Sequence, residues 1–149
     1  MNQKAEVYWN EFWQGKEEEK PQAVSAWQFG ADSDQLAQLV IDGRKTATCS
    51  AHVFYEEENE PMPSVGDYSI ILSSGDSPLA IIRTVNVEVL PMNEVSEEFA
   101  ISEGEGDGTY TYWWNAHEHF FKKELHKLGH TFKEDMLLVC ESFELIHVK

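Results

Sequence analysis

A chain of 149 residues has the size of one domain, and its 42% hydrophobic content, with five Trp, five Tyr and eight Phe, supplies a single core and excludes a disordered chain. Twenty-seven acidic residues against eleven basic ones give a net charge of −16 at pH 7, a field that repels phosphate polyanions and argues against duplex DNA as a partner. No apolar run nears the roughly 18 residues of a membrane span, the first twenty residues mix Lys4, Glu6, Glu11 and Lys16 with aromatics as no signal peptide does, and two cysteines make no disulfide framework, so a cytoplasmic protein with free Cys49 and Cys140 and no membrane partner is expected.

Residues 5–14 place Val7 or Tyr8, then Phe12, near helical spacing, and Gly15 closes this amphipathic helix. Ser25 to Phe29 alternates and reads as a short strand. Asp32 with Gln35 has capping-box spacing and opens a helix whose apolar face is Leu36, Leu39 and Val40 and whose end is Gly43. The β-branched run Thr46 to Phe54 predicts a strand, and the acidic stretch Glu56 to Ser64, with Pro61 and Pro63, a surface loop. Tyr68 to Leu72 and Leu79 to Leu90 are the strongest strands, joined through Gly75-Asp76-Ser77-Pro78. In the second, Val85, Val87 and Val89 alternate with Thr84, Asn86 and Glu88, which predicts one buried and one wet face. After Pro91 a short helix starts at Ser96. The acidic, Gly-rich run Glu103 to Gly108 leads into a helix over 109–128, with Trp114, His117, Phe121, Leu125 and Leu128 as its buried stripe and Gly129 beyond its end. Met136 to Val148 is the last long strand. Long strands at short separations, with no regular strand–helix alternation over 46–90, predict an α+β fold: a closed or half-closed, mostly antiparallel barrel with flanking helices.

The chain holds neither Cys-x-x-Cys nor His-Glu-x-x-His, His126 and His130 are separated by Gly129, and His117 lies on an apolar stripe as a core histidine does; no metal site and no cofactor are expected. Carboxylates between the glycines of 104–108 rule out a phosphate loop. They leave two readings, an acidic turn before a helix N-terminus or a flexible loop bringing Glu105 to a ligand. Between Pro21 and Phe121 the basic residues are Arg44, Lys45 and Arg83. Arg44 suits a helix C-terminus; Lys45 lies past the cap. Lys45, Thr46, Thr48 and Cys49 read either as the start of an ordinary strand or as a threonine nucleophile with a desolvated lysine as its base. Lys45 and Thr48 face opposite sides of a regular strand, so the second reading needs the turn after Gly43 to govern Lys45.

The run Ile41-Asp42-Gly43-Arg44-Lys45-Thr46-Ala47-Thr48 resembles the G-[RK]-K-T-x-T signature that follows the first core helix of ASCH domains, members of the PUA-like β-barrel superfamily. Val65-Gly66-Asp67, the Glu-Gly-Glu-Gly-Asp loop, Trp113-Trp114 with His117 and Phe120-Phe121, and Leu138 to Phe143 follow in the same order. The likeness covers about residues 24–147; residues 1–20 are read as an N-terminal helix extension and 21–149 as a single ASCH domain. The resemblance implies an RNA-binding or RNA-modifying protein. One compact bacterial branch of the family hydrolyses N(4)-acetylcytidine with a Lys, a Thr and a Glu, which match Lys45, Thr48 and Glu105, or Glu103 if the loop is aligned without a gap. Cys49-Ser50-Ala51 stands where that branch carries an Arg-Asp pair. The expected ligand is a small nucleoside or a short single-stranded RNA, bound through Arg44, Thr46 and Arg83 with Trp27 and Tyr110 as stacking surfaces. The alternative to catalysis is a module that binds single-stranded RNA or a nucleotide.

Overall fold

The computed structural model describes all residues from Met1 to Lys149. Local signals set most element boundaries. Asn2 caps α1 (Gln3–Trp13) by accepting from the Ala5 N–H, and Gly15 leaves it at φ +79°. The short strand β1 (Ser25–Trp27) is followed by α2 (Ser33–Ile41), where the Asp32 carboxylate takes the Gln35 N–H. Gly43, at φ +77°, ends α2, and the Arg44 and Lys45 N–H groups both return to the Leu39 carbonyl. The chain then enters β2 (Ala47–Ala51).

The β-branched run does not stay extended to Phe54: β2 stops at Ala51 and His52–Glu57 form a helix, α3, with His52 and Glu56 paired at 2.9 Å one turn apart. Tyr68–Leu72 (β3) and Pro78–Pro91 (β4) form the expected hairpin, and a 3₁₀ turn at Met92–Glu94 leads to α4 (Glu97–Ser102), capped by Ser96. Helix α5 (Tyr110–Lys127) is capped by Thr109, and Leu137–Val148 is β5.

The five strands form one sheet in the order β1-β3-β4-β5-β2, antiparallel except for the β1–β3 pair. It is a curled half-barrel whose longest ladder runs from Ala80 opposite Val148 to Pro91 opposite Leu137. Three apolar clusters cover it. Helix α1 sets Ala5, Tyr8, Trp9 and Trp13 against Ile70, Leu72 and Ile81. Helix α2 sets Leu36, Ala37 and Val40 against Ile71, Ile82 and Phe143. Helices α4 and α5 bring Ala100, Trp113, Phe121 and Leu125 onto Ala51, Leu138 and Cys140. No helix is long and apolar enough to cross a membrane.

Two burial expectations are corrected. In β4 the register slips between Thr84 and Asn86, leaving Val85 as a bulge; Ala80, Ile81, Ile82 and Thr84, ahead of it, are buried, while Val85 and Val89 are exposed. In α5 the stripe runs at steps of four through Trp113, His117, Phe121 and Leu125; Trp114 is half-buried, and Leu128, at the C-cap beyond the last full turn, is 43% exposed.

Candidate functional site

Lys45 is the centre of a buried charge cluster. The turn after Gly43 ties its backbone to Leu39, and Lys45, Ala47 and Cys49 then leave the same face of the incoming strand, toward α4 and α5. Across from them, Glu103 caps the end of α4 and begins the Gly-rich loop. Gly104 sits at φ +69° with its Cα packed so tightly on the chain at Arg44 that an added Cβ would lie 2.2 Å from the Arg44 carbonyl oxygen. That close approach presses the loop onto the α2–β2 turn. Thr46 stitches the same seam, its N–H donating to the Ser102 carbonyl at 2.9 Å.

The Lys45 ammonium, 2% exposed, donates to Glu103 Oε1 at 3.1 Å and to Glu105 Oε2 at 3.2 Å. The Glu103 side chain is 1% exposed and the Glu105 side chain 18%. Both candidate carboxylates therefore engage the lysine, Glu103 from below and Glu105 from the solvent side. The other oxygen of Glu103, Oε2, accepts from the Trp113 indole N–H and from Cys49 Sγ at 3.3 Å, and lies 3.3 Å from His117 Nε2. His117 Nδ1 donates to the Trp113 carbonyl at 2.7 Å.

Burial pushes the Lys45 pKa down, but the two carboxylates outweigh it and hold the group above its ordinary value, as an ammonium. Glu103 meets the reverse balance: desolvation opposes its charge, while Lys45, His117 and Trp113 overcome it and lower its pKa. Desolvation, aided by the Glu103 charge, raises Glu105 against the pull of Lys45. Burial and the Glu103 anion push the Cys49 thiol well up. His117, despite burial, is raised by Glu103.

The remaining expected residues fall in different places. Thr48 follows Ala47 and precedes Cys49 in β2, so its side chain leaves the opposite face of the sheet, where its cross-strand neighbour is Glu141. Arg44 is exposed beside the cluster, and exposed Thr46 donates its hydroxyl to the Ser102 carbonyl. Arg83 is remote, 3.9 Å from Glu144 and over the Tyr68 ring on the α1 side. Trp27 packs edge-on to Phe29, and the Lys45 ammonium lies 5.4 Å from the Phe29 ring centre. Tyr110 stacks on Trp113 and Trp114, and Trp113 on His117 with 4.6 Å between ring centres, so a half-open aromatic wall adjoins the carboxylates.

Cys49 and His117 join the cluster although neither is among the expected site residues: Cys49 stands beside Lys45 and Thr48 in the sequence, and His117 lies in the Trp113-Trp114 motif. His117 was read as a core histidine and does lie on the α5 stripe, but its outward nitrogen meets Glu103.

A family model of the ASCH domain matches residues 25–147. The chain belongs to the ASCH domain family. An ASCH domain from Lactobacillus crispatus JV V101 is 36% identical, with a TM-score of 0.91 over 97% of this chain and 95% of that one. Protein EF3133 from Enterococcus faecalis V583 is 44% identical, with a TM-score of 0.85 over 99% and 91% of the two chains. An ASCH protein from Zymomonas mobilis, 9% identical at a TM-score of 0.51 over 84% and 70%, shares the fold alone. No curated protein matches the chain. The α+β half-barrel with its helices is thus the ASCH, PUA-like fold.

Proposed function

We propose that this ASCH domain hydrolyses the amide of a small acylated nucleoside at the Lys45–Glu105 pair. The observation that carries the reading is a lysine ammonium at 2% exposure held between two carboxylates, one of which keeps access to solvent. A raised Lys45 pKa makes the lysine a cation and no base, so its part is to stabilise the oxyanion, and the base is Glu105. Glu105 takes a proton from water as the water oxygen bonds to the acyl carbon. The carbonyl electron pair moves onto oxygen beside the Lys45 ammonium. The intermediate collapses, the C–N bond breaks, and Glu105 returns the proton to the leaving amine, giving a carboxylic acid and the free nucleoside. Glu103 fixes Lys45 and keeps it charged. Thr48, on the other face of β2, has no part in this scheme.

The half-buried Tyr110 and Trp114 beside Trp113 offer flat apolar surface for a base. A net charge of −16 suits a neutral nucleoside better than a polyanion. The RNA-binding alternative needs a continuous cationic groove, whereas Lys45 is neutralised by two carboxylates and Arg83 is engaged on the α1 side. The two free thiols, Cys49 and Cys140, suit a reducing, cytoplasmic setting.

The test is a panel of N-acylated cytidines and adenosines followed by chromatography, with single-stranded oligonucleotide binding measured in parallel at two salt concentrations. The expected result is acyl release by the wild type, a loss of about 10²-fold or more in Glu105→Gln, and no salt-sensitive oligonucleotide binding. No turnover of any panel member, together with salt-sensitive binding, overturns the proposal in favour of the RNA module.

A further inference from the structure

Below the Lys45 pair, the inner oxygen of Glu103 belongs to a second constellation. Cys49 Sγ from β2, Glu103 Oε2 from the end of α4 and His117 Nε2 from α5 all lie within 4.8 Å of one another. We propose that these three atoms bind a thiophilic divalent cation of the zinc class. This goes beyond the amide-hydrolysis reading and shares only Glu103 with it.

Three observations carry the assignment. The first is spacing. Zinc binds nitrogen and oxygen at about 2.0–2.2 Å and thiolate at about 2.3 Å, so the edges of a tetrahedral site are roughly 3.3–3.8 Å. The Cys49 Sγ–Glu103 Oε2 and His117 Nε2–Glu103 Oε2 separations are both 3.3 Å. The second is the histidine tautomer. A carbonyl oxygen only accepts, so the 2.7 Å contact to the Trp113 carbonyl places a proton on Nδ1. Nε2 is thereby aimed at the Glu103 carboxylate oxygen 3.3 Å away, a contact that a proton bridges in the metal-free protein and that a divalent cation bridges on displacing it. A backbone carbonyl holding the far nitrogen is also the support that metal-binding histidines use. The third is the donor set. One sulfur, one nitrogen and one oxygen exclude magnesium and calcium and suit zinc, and three protein ligands leave a fourth position open for water or ligand. The ligands sit on three different elements, with Glu103 fixed by Lys45 through its other oxygen and by the Trp113 indole N–H, so the site is held in place before metal arrives. Two anionic ligands and a neutral imidazole balance the charge of a divalent ion. Binding displaces the Cys49 thiol proton and the proton shared between His117 Nε2 and Glu103, and both leave to solvent.

The experiment titrates the chelator-stripped, full-length protein with Zn²⁺ by calorimetry and with Co²⁺ by absorption spectroscopy. The expected result is one ion per chain, a thiolate-to-cobalt charge-transfer band in the near ultraviolet, and visible absorption of tetrahedral intensity. Cys49→Ser loses the band and His117→Gln weakens binding by more than the roughly 10–100-fold that losing a supporting hydrogen bond costs. Cys140→Ser, which removes the other thiol, keeps the band. Circular dichroism and urea midpoints show whether each variant folds, and the band in the wild type reports a thiolate ligand without any variant. No stoichiometric binding by the wild type, or binding without the charge-transfer band that survives Cys49→Ser and His117→Gln, overturns the proposal and places any bound metal on surface histidines such as His52 and His130.

Discussion

Replacing Lys45 by Met removes the cation but keeps most of the side-chain volume, and it leaves Glu103 charged in a site where it is 1% exposed. At an effective dielectric of 20, two unit charges at the observed 3.1 Å attract by about 5 kcal/mol, most of which the folded protein has already spent on desolvating both groups. Truncating one partner of such a pair costs about 3–5 kcal/mol because the survivor stays buried and unpaired. Glu103 retains the Trp113 and Cys49 donors, which places the expected loss at the lower end, about 3 kcal/mol. With a urea slope of about 1–3 kcal/mol/M, the unfolding midpoint falls by roughly 1–3 M. The double variant Lys45→Met, Glu103→Gln removes the fully buried orphaned charge, leaves unpaired only the Glu105 carboxylate on the solvent side, and regains part of that loss, so the cycle is strongly non-additive. Urea denaturation of the four proteins at pH 7 measures this. A loss below about 1 kcal/mol for Lys45→Met, or additive single and double changes, would refute the claim that the lysine neutralises a buried carboxylate.

Other consequences follow from the same geometry. Phe121→Ala, at a fully buried position, costs about 3–5 kcal/mol, while Leu128→Ala, at 43% exposure, stays within about 0.5 kcal/mol; denaturant midpoints check both. Gly104→Ala forces a side chain onto the Arg44 carbonyl and a left-handed backbone, costing roughly 1–3 kcal/mol from the backbone alone, and a crystal structure of the variant shows Glu105 withdrawn from Lys45. Glu103 has a lowered pKa in the folded state, so its contribution to stability is complete above the ordinary value of 4.5 and disappears as pH falls from there through the folded value. Unfolding free energies of Glu103→Gln and wild type therefore converge on acidification below about pH 4.5; a difference that stays constant down to pH 2 contradicts the assignment.

Much of this was legible where local chemistry decides the outcome. Asp32 with Gln35 and the glycine at 43 placed α2, and Gly75 to Pro78 placed the β3–β4 hairpin, because caps and turns depend on the few residues that make them. Burial phase was harder to read. The valines of β4 alternate as a core face should, but one unpaired residue at Val85 shifts the register, and such a bulge has no signature in a uniformly β-branched run. Phe54 was read as strand because β-branched and aromatic residues are ambiguous over short spans; packing against Phe121 decides for helix. Lys45 with Glu105 came from a motif. The link of Cys49 and His117 to Glu103 is not legible in the sequence, because they stand 54 and 14 residues from it and meet it through tertiary packing alone.

The central claim is that Glu105 and charged Lys45 carry amide hydrolysis and Thr48 does not. The most direct measurement is kcat/KM on the best acylated nucleoside of the panel for wild type, Glu105→Gln, Lys45→Arg, Lys45→Ala and Thr48→Ala. The account predicts that Thr48→Ala stays within about threefold of wild type, that Glu105→Gln falls by about 10²-fold or more, and that Lys45→Arg, which keeps the charge, retains more activity than Lys45→Ala. An inactive Thr48→Ala beside an active Glu105→Gln would contradict it and return the nucleophile to the opposite face of β2.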